Sequence, residues 1–319
     1  MHLYFAPMEG ISGYVHRNAH KAHFGQIEKY FAPFIVSDPT SGYGTKGFHD
    51  IMRENNPNIT LIPQILSNNA SDFLHTAQVI KQHGYHEINL NLGCPSRIVA
   101  SKNRGSAFLA LRDELDRFLD QIFSGAETHI SIKTRTGKEN HEEFYKLIDI
   151  FNQYPIKELI IHPRVQTDLY RNKPNLDMFR QGLTTLKMPV CYNGDIFTLK
   201  DYTEIQTAFP EVDVFMLGRG ILTNPGLADL ISRGKRIEMN TLISFHKDIY
   251  EGYREQLVEE RKILGKMKET WFYMIQIFSN YHPYLYDLRR VTSLEAYEKV
   301  LARLFKEQRL LDDKVGYSS

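Results

Sequence analysis

Short apolar runs alternate with amphipathic segments from residue 2 to about residue 232. Because the runs are rich in β-branched and aromatic residues, they predict β-strands. Eight runs are present, at residues 2–6, 31–36, 61–66, 86–91, 129–133, 158–162, 188–193 and 213–217. Helical patterns lie between them, for example at residues 71–83, 112–124, 141–153 and 198–208. This alternation is typical of a parallel sheet, and eight units predict closure into a (β/α)8 TIM barrel, an α/β fold.

The pattern changes after Gly234. Residues 239–319 show helical periodicity and no strand-like alternation of comparable length. Three helices are predicted, near residues 240–258, 262–279 and 293–310. We expect a turn at 281–287, because Pro283 cannot supply a backbone N–H inside a helix. The sequence thus predicts a barrel domain over residues 1–238 and a small helical bundle domain over residues 239–319.

Composition and charge indicate a folded, enzyme-sized protein. Hydrophobic residues make up 42% of the 319 residues, which is too many for a disordered chain. The 39 basic and 38 acidic residues leave a net charge of +1, so a polyanionic partner would need positive charge gathered locally. No run approaches the ~18 apolar residues of a membrane helix, and the first residues do not resemble a signal peptide. We therefore expect a cytoplasmic protein that does not enter a membrane.

Candidate functional residues recur where the predicted strands end. Active sites of barrels collect at the C-terminal ends of the strands, so we expect these residues to share one mouth. They are Pro7 and Met8 after the first strand, Gln64 near the end of the third, Asn91 and Cys94 at the fourth, Lys133 at the fifth, His162 at the sixth, Asn193, Gly194 and Asp195 at the seventh, and Gly218 and Arg219 at the eighth. No metal site and no obligate protein partner is indicated.

The two motifs after the seventh and eighth strands indicate a phosphate site. Barrels commonly bind phosphate there, against backbone N–H groups and a helix N-terminus. Glycine lets the backbone approach the ligand closely, and Arg219 can add a charge-assisted contact. The alternative is that these glycines only turn a strand into a helix.

Lys133 and His162 end adjacent strands and are expected to point into the same mouth. A lysine there would suit an anionic ring such as the N1–C2=O edge of a reduced flavin, and a histidine can donate to the same region. The alternatives are a salt bridge from Lys133 to Asp195 or Glu9, and a satisfied buried imidazole for His162.

The two cysteines differ in setting, and two cannot form a disulfide framework. Cys94 stands in a Gly-Cys-Pro turn directly after a strand, so its sulfur can face the mouth. A thiol that stays protonated can act as a general acid. The alternative is a small buried hydrophobe, the common state of a free cysteine, and Cys191 fits that description.

Six segments occur in the order and spacing of one enzyme family. They are APMEG (6–10), NLGCPS (91–96), IKTRTG (132–137), IHPR (161–164), NGDI (193–196) and GRG (218–220). On these segments and the helical tail, the chain resembles the tRNA-dihydrouridine synthases over nearly its whole length. APMEG, together with a tyrosine eight residues after His162, looks most like the bacterial subgroup that acts on uridine 16.

The resemblance implies an FMN-dependent reductase of uridine in tRNA, with NADPH as the reductant. Flavin N5 would deliver hydride to uracil C6, and Cys94 would protonate C5. The implied cofactor-binding residues are Pro7, Met8, Gln64, Lys133, His162, Asn193, Gly194, Asp195, Gly218 and Arg219, and the implied substrate-binding residues are Asn91, Arg135, Tyr170, Lys266 and Lys268. Two positions depart from the family pattern, since Pro163 stands where glycine is usual and Asn89 where aspartate is common.

The predicted helical domain carries a basic run at residues 261–268, with four positive charges and no acid. By itself such a run is typical of a solvated helix face paired with nearby glutamates. The resemblance identifies Lys266 and Lys268 with basic residues of a tRNA-binding domain, which would neutralise phosphates. Because a barrel mouth cannot reach a stacked base, the uridine would have to turn outward into the pocket.

Two alternative functions are open. The first is an FMN barrel reductase of a free small molecule, similar to dihydroorotate dehydrogenase, which would leave the helical tail without a task. The second is a non-catalytic RNA-binding protein that keeps the barrel as a scaffold. The chain has no GxGxxG signature, which fits a nicotinamide that visits the flavin briefly.

Overall fold

A computed structural model describes residues 1–37 and 46–311 of the chain. Within them, eight parallel strands each pair with both neighbours, and the first strand closes the barrel against the eighth through pairs such as Phe5 with Leu217. The strands are His2–Phe5, Lys29–Phe31 with Ile35–Val36, Leu61–Ile62 with Gln64–Leu66, Glu87–Leu92, His129–Gly137, Leu159–Val165, Val190–Tyr192 and Val214–Leu217. The predicted α/β barrel is confirmed.

Two prolines divide the second and third strands into the paired segments given above. Pro33 lies between the segments of the second strand, and Pro63 lies between those of the third. Proline lacks the N–H that a central ladder needs, so the pairing is interrupted at these points. It resumes beyond them, where Ile35 pairs with Ile65.

Helices surround the barrel and cover it with apolar faces. In the helix Arg112–Gly125, for example, Leu115, Phe118, Leu119 and Ile122 are buried, which is the spacing of one helical face. The α-helices of this part are Tyr14–His23, Lys46–Ile51, Ala70–Gln82, Arg97–Ala100, Arg112–Gly125, Glu143–Phe151, Leu176–Thr185, Leu199–Ala208, Arg219–Thr223 and Leu227–Arg233, and the 3-10 helices are Arg53–Asn55, Gly105–Ala110 and Gln166–Asp168.

The barrel interior below the mouth is filled by side chains from several strands. Tyr4, Phe31, Ile160 and Met216 pack together there, and Cys191 is fully buried among them. The prediction that Cys191 is a core residue is therefore confirmed.

The remainder of the chain forms the helices Met239–Gln256, Glu260–Met274, His282–Arg290 and Leu294–Glu307, with a 3-10 turn at Ile275–Ile277. The predicted turn at 281–287 is wrong, because a helix begins at His282 with Pro283 in its first turn. Proline is tolerated there, since the first N–H groups of a helix have no acceptor within it. Residues 312–319 of the predicted second domain lie outside the described residues.

The tail helices share a hydrophobic core with the first barrel helix. Val15, Ala19 and Phe24 belong to the same cluster as the buried residues of the tail. Contact is tight at Gly252, where a Cβ atom would lie 2.8 Å from Cγ1 of Val15. The division into two domains at residue 238 stays a prediction. In the part of the chain described here, no helix is both long and apolar enough to cross a membrane.

Candidate active site

A cavity of about 500 Å³ opens at the C-terminal ends of the strands. Its size is that of a pocket for a cofactor or small ligand. Nine predicted site residues line it, namely Pro7, Met8, Gln64, Asn91, Cys94, Lys133, Arg135, His162 and Tyr170. The expectation that the strand ends share one mouth therefore holds for the first, third, fourth, fifth and sixth strands.

Asn91 organises the turn that carries Cys94. Its Oδ1 accepts hydrogen bonds from the backbone N–H groups of Gly93 at 3.0 Å and Cys94 at 2.9 Å. Its Nδ2 donates to Oε1 of Gln64 at 2.8 Å, and Nε2 of Gln64 donates to Oδ1 of Asn89 at 2.7 Å. Asn89 thus accepts a hydrogen bond through its amide oxygen, which a carboxylate at this position could also do.

The Cys94 turn rests on Gly105 and Ser106. The backbone oxygen of Cys94 accepts from the Ser106 N–H at 3.1 Å and from the Ser106 hydroxyl at 2.8 Å. Gly105 has φ +61°, and a Cβ atom there would lie 2.7 Å from that same oxygen, so the position requires glycine. Burial raises the pKa of the Cys94 thiol above its ordinary value, which favours the protonated form.

Lys133 lines the cavity, and no described residue accepts a hydrogen bond from its ammonium group. Burial, and to a lesser extent the nearby Arg135, lower the pKa of Lys133 to about 8. Within the described residues Lys133 makes no ion pair with Asp195 or Glu9, and Asp195 pairs instead with Arg164 and Arg219. The salt-bridge alternative for Lys133 is therefore excluded within this part of the chain.

His162 is buried and neutral. Burial holds its pKa well below the ordinary value, and the cations Arg135, Lys133, Arg164 and Arg219 lower it further. Nη1 of Arg164 lies 3.0 Å from Nε2 of His162. Since a guanidinium can only donate, Nε2 must be the acceptor and the ring proton must sit on Nδ1.

Arg164 joins His162 to the carboxylate of Asp195. Its Nη1 donates to Oδ1 of Asp195 at 2.9 Å, and its Nη2 donates to Oδ2. Arg219 also donates to Asp195, with 2.6 Å between Nη2 and Oδ1. Two guanidinium groups and one carboxylate leave this cluster with a net positive charge.

Tyr170 lies against two of the site arginines. The guanidinium carbon of Arg219 is 4.4 Å from the centroid of its ring, and that of Arg135 is 5.3 Å away. The ring of His162 is 6.0 Å from it, centroid to centroid. Tyr170 therefore connects the arginine cluster to the cavity that it lines.

Arg135 is fully buried, and its guanidinium holds two loops together. It donates to the backbone oxygens of Gly93 at 3.0 Å, Val165 at 2.8 Å and Leu169 at 2.8 Å. Gly93 precedes Cys94 and Leu169 precedes Tyr170, so these bonds fix both loops relative to each other. The predicted contact of Arg135 with uracil stays a prediction.

The predicted phosphate residues lie beside the cavity rather than in its lining. Nδ2 of Asn193 donates to the backbone oxygen of Met216 at 2.8 Å and links the seventh strand to the eighth. At Gly194 a Cβ atom would lie 2.0 Å from the hydroxyl oxygen of Tyr192, so packing alone requires glycine there. Gly218 has more room, since the atom nearest to its Cβ would be Cβ of Ala6, at 3.6 Å.

The two predicted RNA-contacting lysines are both engaged within the protein. Nζ of Lys266 donates to the backbone oxygen of Gly10 at 2.6 Å and pairs with Glu269 at 2.8 Å. Nζ of Lys268 donates to the backbone oxygens of Arg289 at 3.1 Å and Val291 at 2.6 Å. Lys266 thus attaches the tail to the loop after the first strand, whereas Lys268 ties two tail helices together. Their contact with RNA stays a prediction.

Arg164 links His162 to Asp195, and no contact of Arg164 was predicted from the sequence. A signal was present, because Arg164 lies two residues after His162 on one strand, and alternate residues of a strand point to the same side. Phe34 and Arg97 also line the cavity without having been singled out. Among the described residues no group of three or more His, Cys, Asp or Glu side chains could hold a metal ion.

The family model and the relatives found by sequence agree on one family. The family model described as dihydrouridine synthase (Dus) matches residues 4–313. The tRNA-dihydrouridine synthase B of Pasteurella multocida is 26% identical over 226 residues, which cover 70% of this chain and 67% of that protein. The tRNA-dihydrouridine(16) synthase of the same species is 29% identical over 192 residues, which cover 58% of this chain and 60% of the relative.

Solved structures show a similar fold at low sequence identity. A structure of morphinone reductase has a TM-score of 0.52 and 11% identity, and the match covers 76% of this chain and 88% of that one. A variant of NCR from Zymomonas mobilis has a TM-score of 0.51 and 11% identity, and covers 75% of this chain and 90% of its own. These likenesses concern the barrel fold alone.

Proposed function

The chain belongs to the dihydrouridine synthase family, and on that premise we propose that it reduces the C5–C6 double bond of a uridine in tRNA to 5,6-dihydrouridine. The observation that carries the proposal is the setting of Cys94. Its thiol lines the same cavity as Lys133 and His162, and burial raises its pKa, so a proton is available there for transfer.

The residues of the cavity fit a flavin. Lys133 has an ammonium group without an acceptor among the described residues, and an anionic edge of FMN would supply one. Pro7, Met8 and Gln64 offer a mixed apolar and amide surface for the ring, and the positive cluster of Arg164, Arg219 and Asp195 would hold the phosphate end. When bound, FMN would supply to uracil C6 the hydride that it takes from NADPH.

Cys94 supplies the proton that completes the reduction. Hydride at C6 and a proton at C5 together saturate the double bond, and the thiolate that remains regains a proton from solvent. Burial favours this return, because it disfavours the charged thiolate. Asn91 keeps the sulfur in position through its bonds to the Cys94 turn, and Arg135 fixes that turn to the loop of Tyr170.

The tail brings tRNA to the mouth. Lys266 and Lys268 lie on the helix Glu260–Met274, which Lys266 connects to the loop after the first strand. Phosphate contacts by this helix would position the RNA while the target base, turned outward, enters the cavity. We propose uridine 16 as the target, and a cytoplasmic enzyme that needs no partner besides tRNA.

The proposed function is tested with two cysteine variants of the purified chain. Cys94→Ala should bind FMN and accept electrons from NADPH at the rate of the unmodified chain, yet form dihydrouridine in native tRNA at least ~10²-fold more slowly. Cys191→Ala removes the buried cysteine and should keep its activity, which controls for loss of sulfur as such. Full activity of Cys94→Ala would contradict the proton-donor role.

A second experiment identifies the substrate. Dihydrouridine is mapped in RNA from cells with and without this gene, and loss at position 16 of tRNA is expected. Loss at another tRNA position would overturn the choice of uridine 16 and keep the tRNA activity. Turnover of a free small molecule without RNA, or a colourless preparation that takes up no FMN, would instead support one of the two alternative functions.

A further inference from the structure

A second cavity, of about 270 Å³, lies beside the candidate active site between the barrel mouth and the tail. Glu9, Pro33 and Phe34 line both cavities, so a single layer of side chains separates them. Tyr14 forms another part of its wall. On the tail side the wall is formed by Tyr253, Gln256, Leu257 and Lys266.

The lining suits a flat, uncharged group with a polar edge. Phe34, Tyr14 and Tyr253 provide aromatic rings, and no described residue hydrogen-bonds the hydroxyl group of either tyrosine. Aromatic rings with nearby donors and acceptors are the surfaces on which proteins stack and recognise unpaired bases.

Four charged side chains line this cavity and their charges balance, because Glu9 and Asp50 are acidic and Lys46 and Lys266 are basic. Asp50 accepts from the backbone N–H of Tyr14 at 2.7 Å and pairs with Arg17 at 2.9 Å. Lys266 pairs with Glu269 and donates to the backbone of Gly10. A phosphate or a metal ion would therefore find no net counter-charge in this lining, whereas a neutral base needs none.

We propose that this second cavity binds the base of a nucleotide adjacent to the target uridine. The inference rests on the proposed function, because the first cavity must hold the uridine. With the uridine there, the chain of the RNA runs past the shared wall, and its next base lies within reach of Tyr14 and Tyr253. The enzyme then recognises two consecutive bases, each turned out of its stack.

The test fills the second cavity without touching the first. In Leu257→Trp an indole ring replaces the leucine side chain and occupies the cavity. Gln256→Trp places the same ring there from an exposed position, so the test remains possible if Leu257→Trp folds poorly. Val258→Trp is the matched control, because Val258 is 102% exposed and lines neither cavity. The substrates are tRNA transcripts, either intact or with an abasic site on one side of the target uridine.

Both filling variants should lower kcat/KM for intact tRNA by about 5- to 150-fold, the range expected when one stacked base is lost. An abasic site on one side should cost the unmodified enzyme a similar factor and cost the filled variants nothing further. NADPH-driven flavin reduction without RNA should be unchanged in the filling variants. The control Val258→Trp should keep the kcat/KM of the unmodified enzyme for intact tRNA.

An unchanged kcat/KM in both filling variants would overturn the proposal. It would also be overturned if the abasic site lowered kcat/KM of a filling variant by the same factor as it lowers that of the unmodified enzyme. Failure of the proposed function is seen separately, in the unmodified enzyme, as the absence of dihydrouridine in every tRNA tested.

Discussion

Gly105 offers a direct test of how the Cys94 turn is held. The substitution Gly105→Ala adds one methyl group where φ is +61° and where that group would lie 2.7 Å from the backbone oxygen of Cys94. The same methyl would also lie 3.0 Å from Cγ1 of Val99. Backbone cannot yield as a flexible side chain does, so the Cys94 turn must shift.

The cost has two parts that a second glycine separates. A left-handed conformation costs a residue with a Cβ atom about 1–2 kcal/mol, and overpacking adds about 1–3 kcal/mol. Gly234, with φ +67°, has nothing within 4 Å of the corresponding position, so Gly234→Ala carries the first part alone. We expect Gly105→Ala to lower the free energy of unfolding by about 2–5 kcal/mol and Gly234→Ala by about 1–2 kcal/mol.

Two measurements check this reasoning. Urea unfolding of both variants gives the difference in stability, and dihydrouridine formation in tRNA gives the effect on the site. Because a displacement of about 1 Å can cost roughly 10²-fold in rate, Gly105→Ala should form product far more slowly while its flavin is reduced by NADPH as usual. Equal losses of stability in the two variants, or unchanged product formation by Gly105→Ala, would refute the proposed support of Cys94.

Three further predictions concern charged and titratable groups. Arg164→Met leaves His162 and Asp195 without their shared donor, so it should lower the free energy of unfolding by about 3–5 kcal/mol and weaken FMN binding. The control Arg171→Met, at an exposed position, should change that free energy by less than ~0.5 kcal/mol when both variants are unfolded thermally. Burial lowers the pKa of Lys133 to about 8, so Lys133 loses its charge and FMN binding should weaken as the pH rises through 8 to 9.5. If FMN affinity changes with pH in the unmodified chain and does not change in Lys133→Met, the titrating group is Lys133. Burial also lowers the pKa of His16 to about 4 and that of His20 to about 3. Below pH 6.5 the unfolded state therefore binds more protons than the folded state. As the pH drops from 6 toward 4.5, each of the two histidines should lower the free energy of unfolding by about 1.4 kcal/mol per pH unit. Replacing His16 by Phe should remove one such contribution from the slope of unfolding free energy against pH, and an unchanged slope would show that the imidazole does not titrate in this way.

The barrel was predictable because its signal is repeated. Eight apolar runs each correspond to a strand, and the residues at the ends of five of them meet in one cavity. The local rule for proline failed at Pro283, which lies in the first turn of a helix that it was expected to break. At Gly194 the sequence does not show the packing against the hydroxyl of Tyr192, and the predicted phosphate contact of Gly194 stays a prediction.

Other features depend on residues far apart in the chain. The tautomer of His162 is set by Arg164, two residues further along the same strand. Arg164 is in turn held in place by Asp195, which lies 31 residues away, after the next strand. Lys266 and Lys268 read as a basic run, and only their tertiary partners show that both bind backbone oxygens. Periodicity carries no information on such pairs.

The core shared by the first helix and the tail sets a condition on synthesis. His23, at the end of that helix, contacts Asp248 across 225 residues of sequence. At about 5–20 residues per second, a ribosome needs roughly 10–45 s to make the intervening chain. Throughout that interval Val15, Ala19 and Phe24 lack their native cover. Because these three residues pack in the core of the tail, a chimera with the tail of a relative must also contain the matching first helix of that relative.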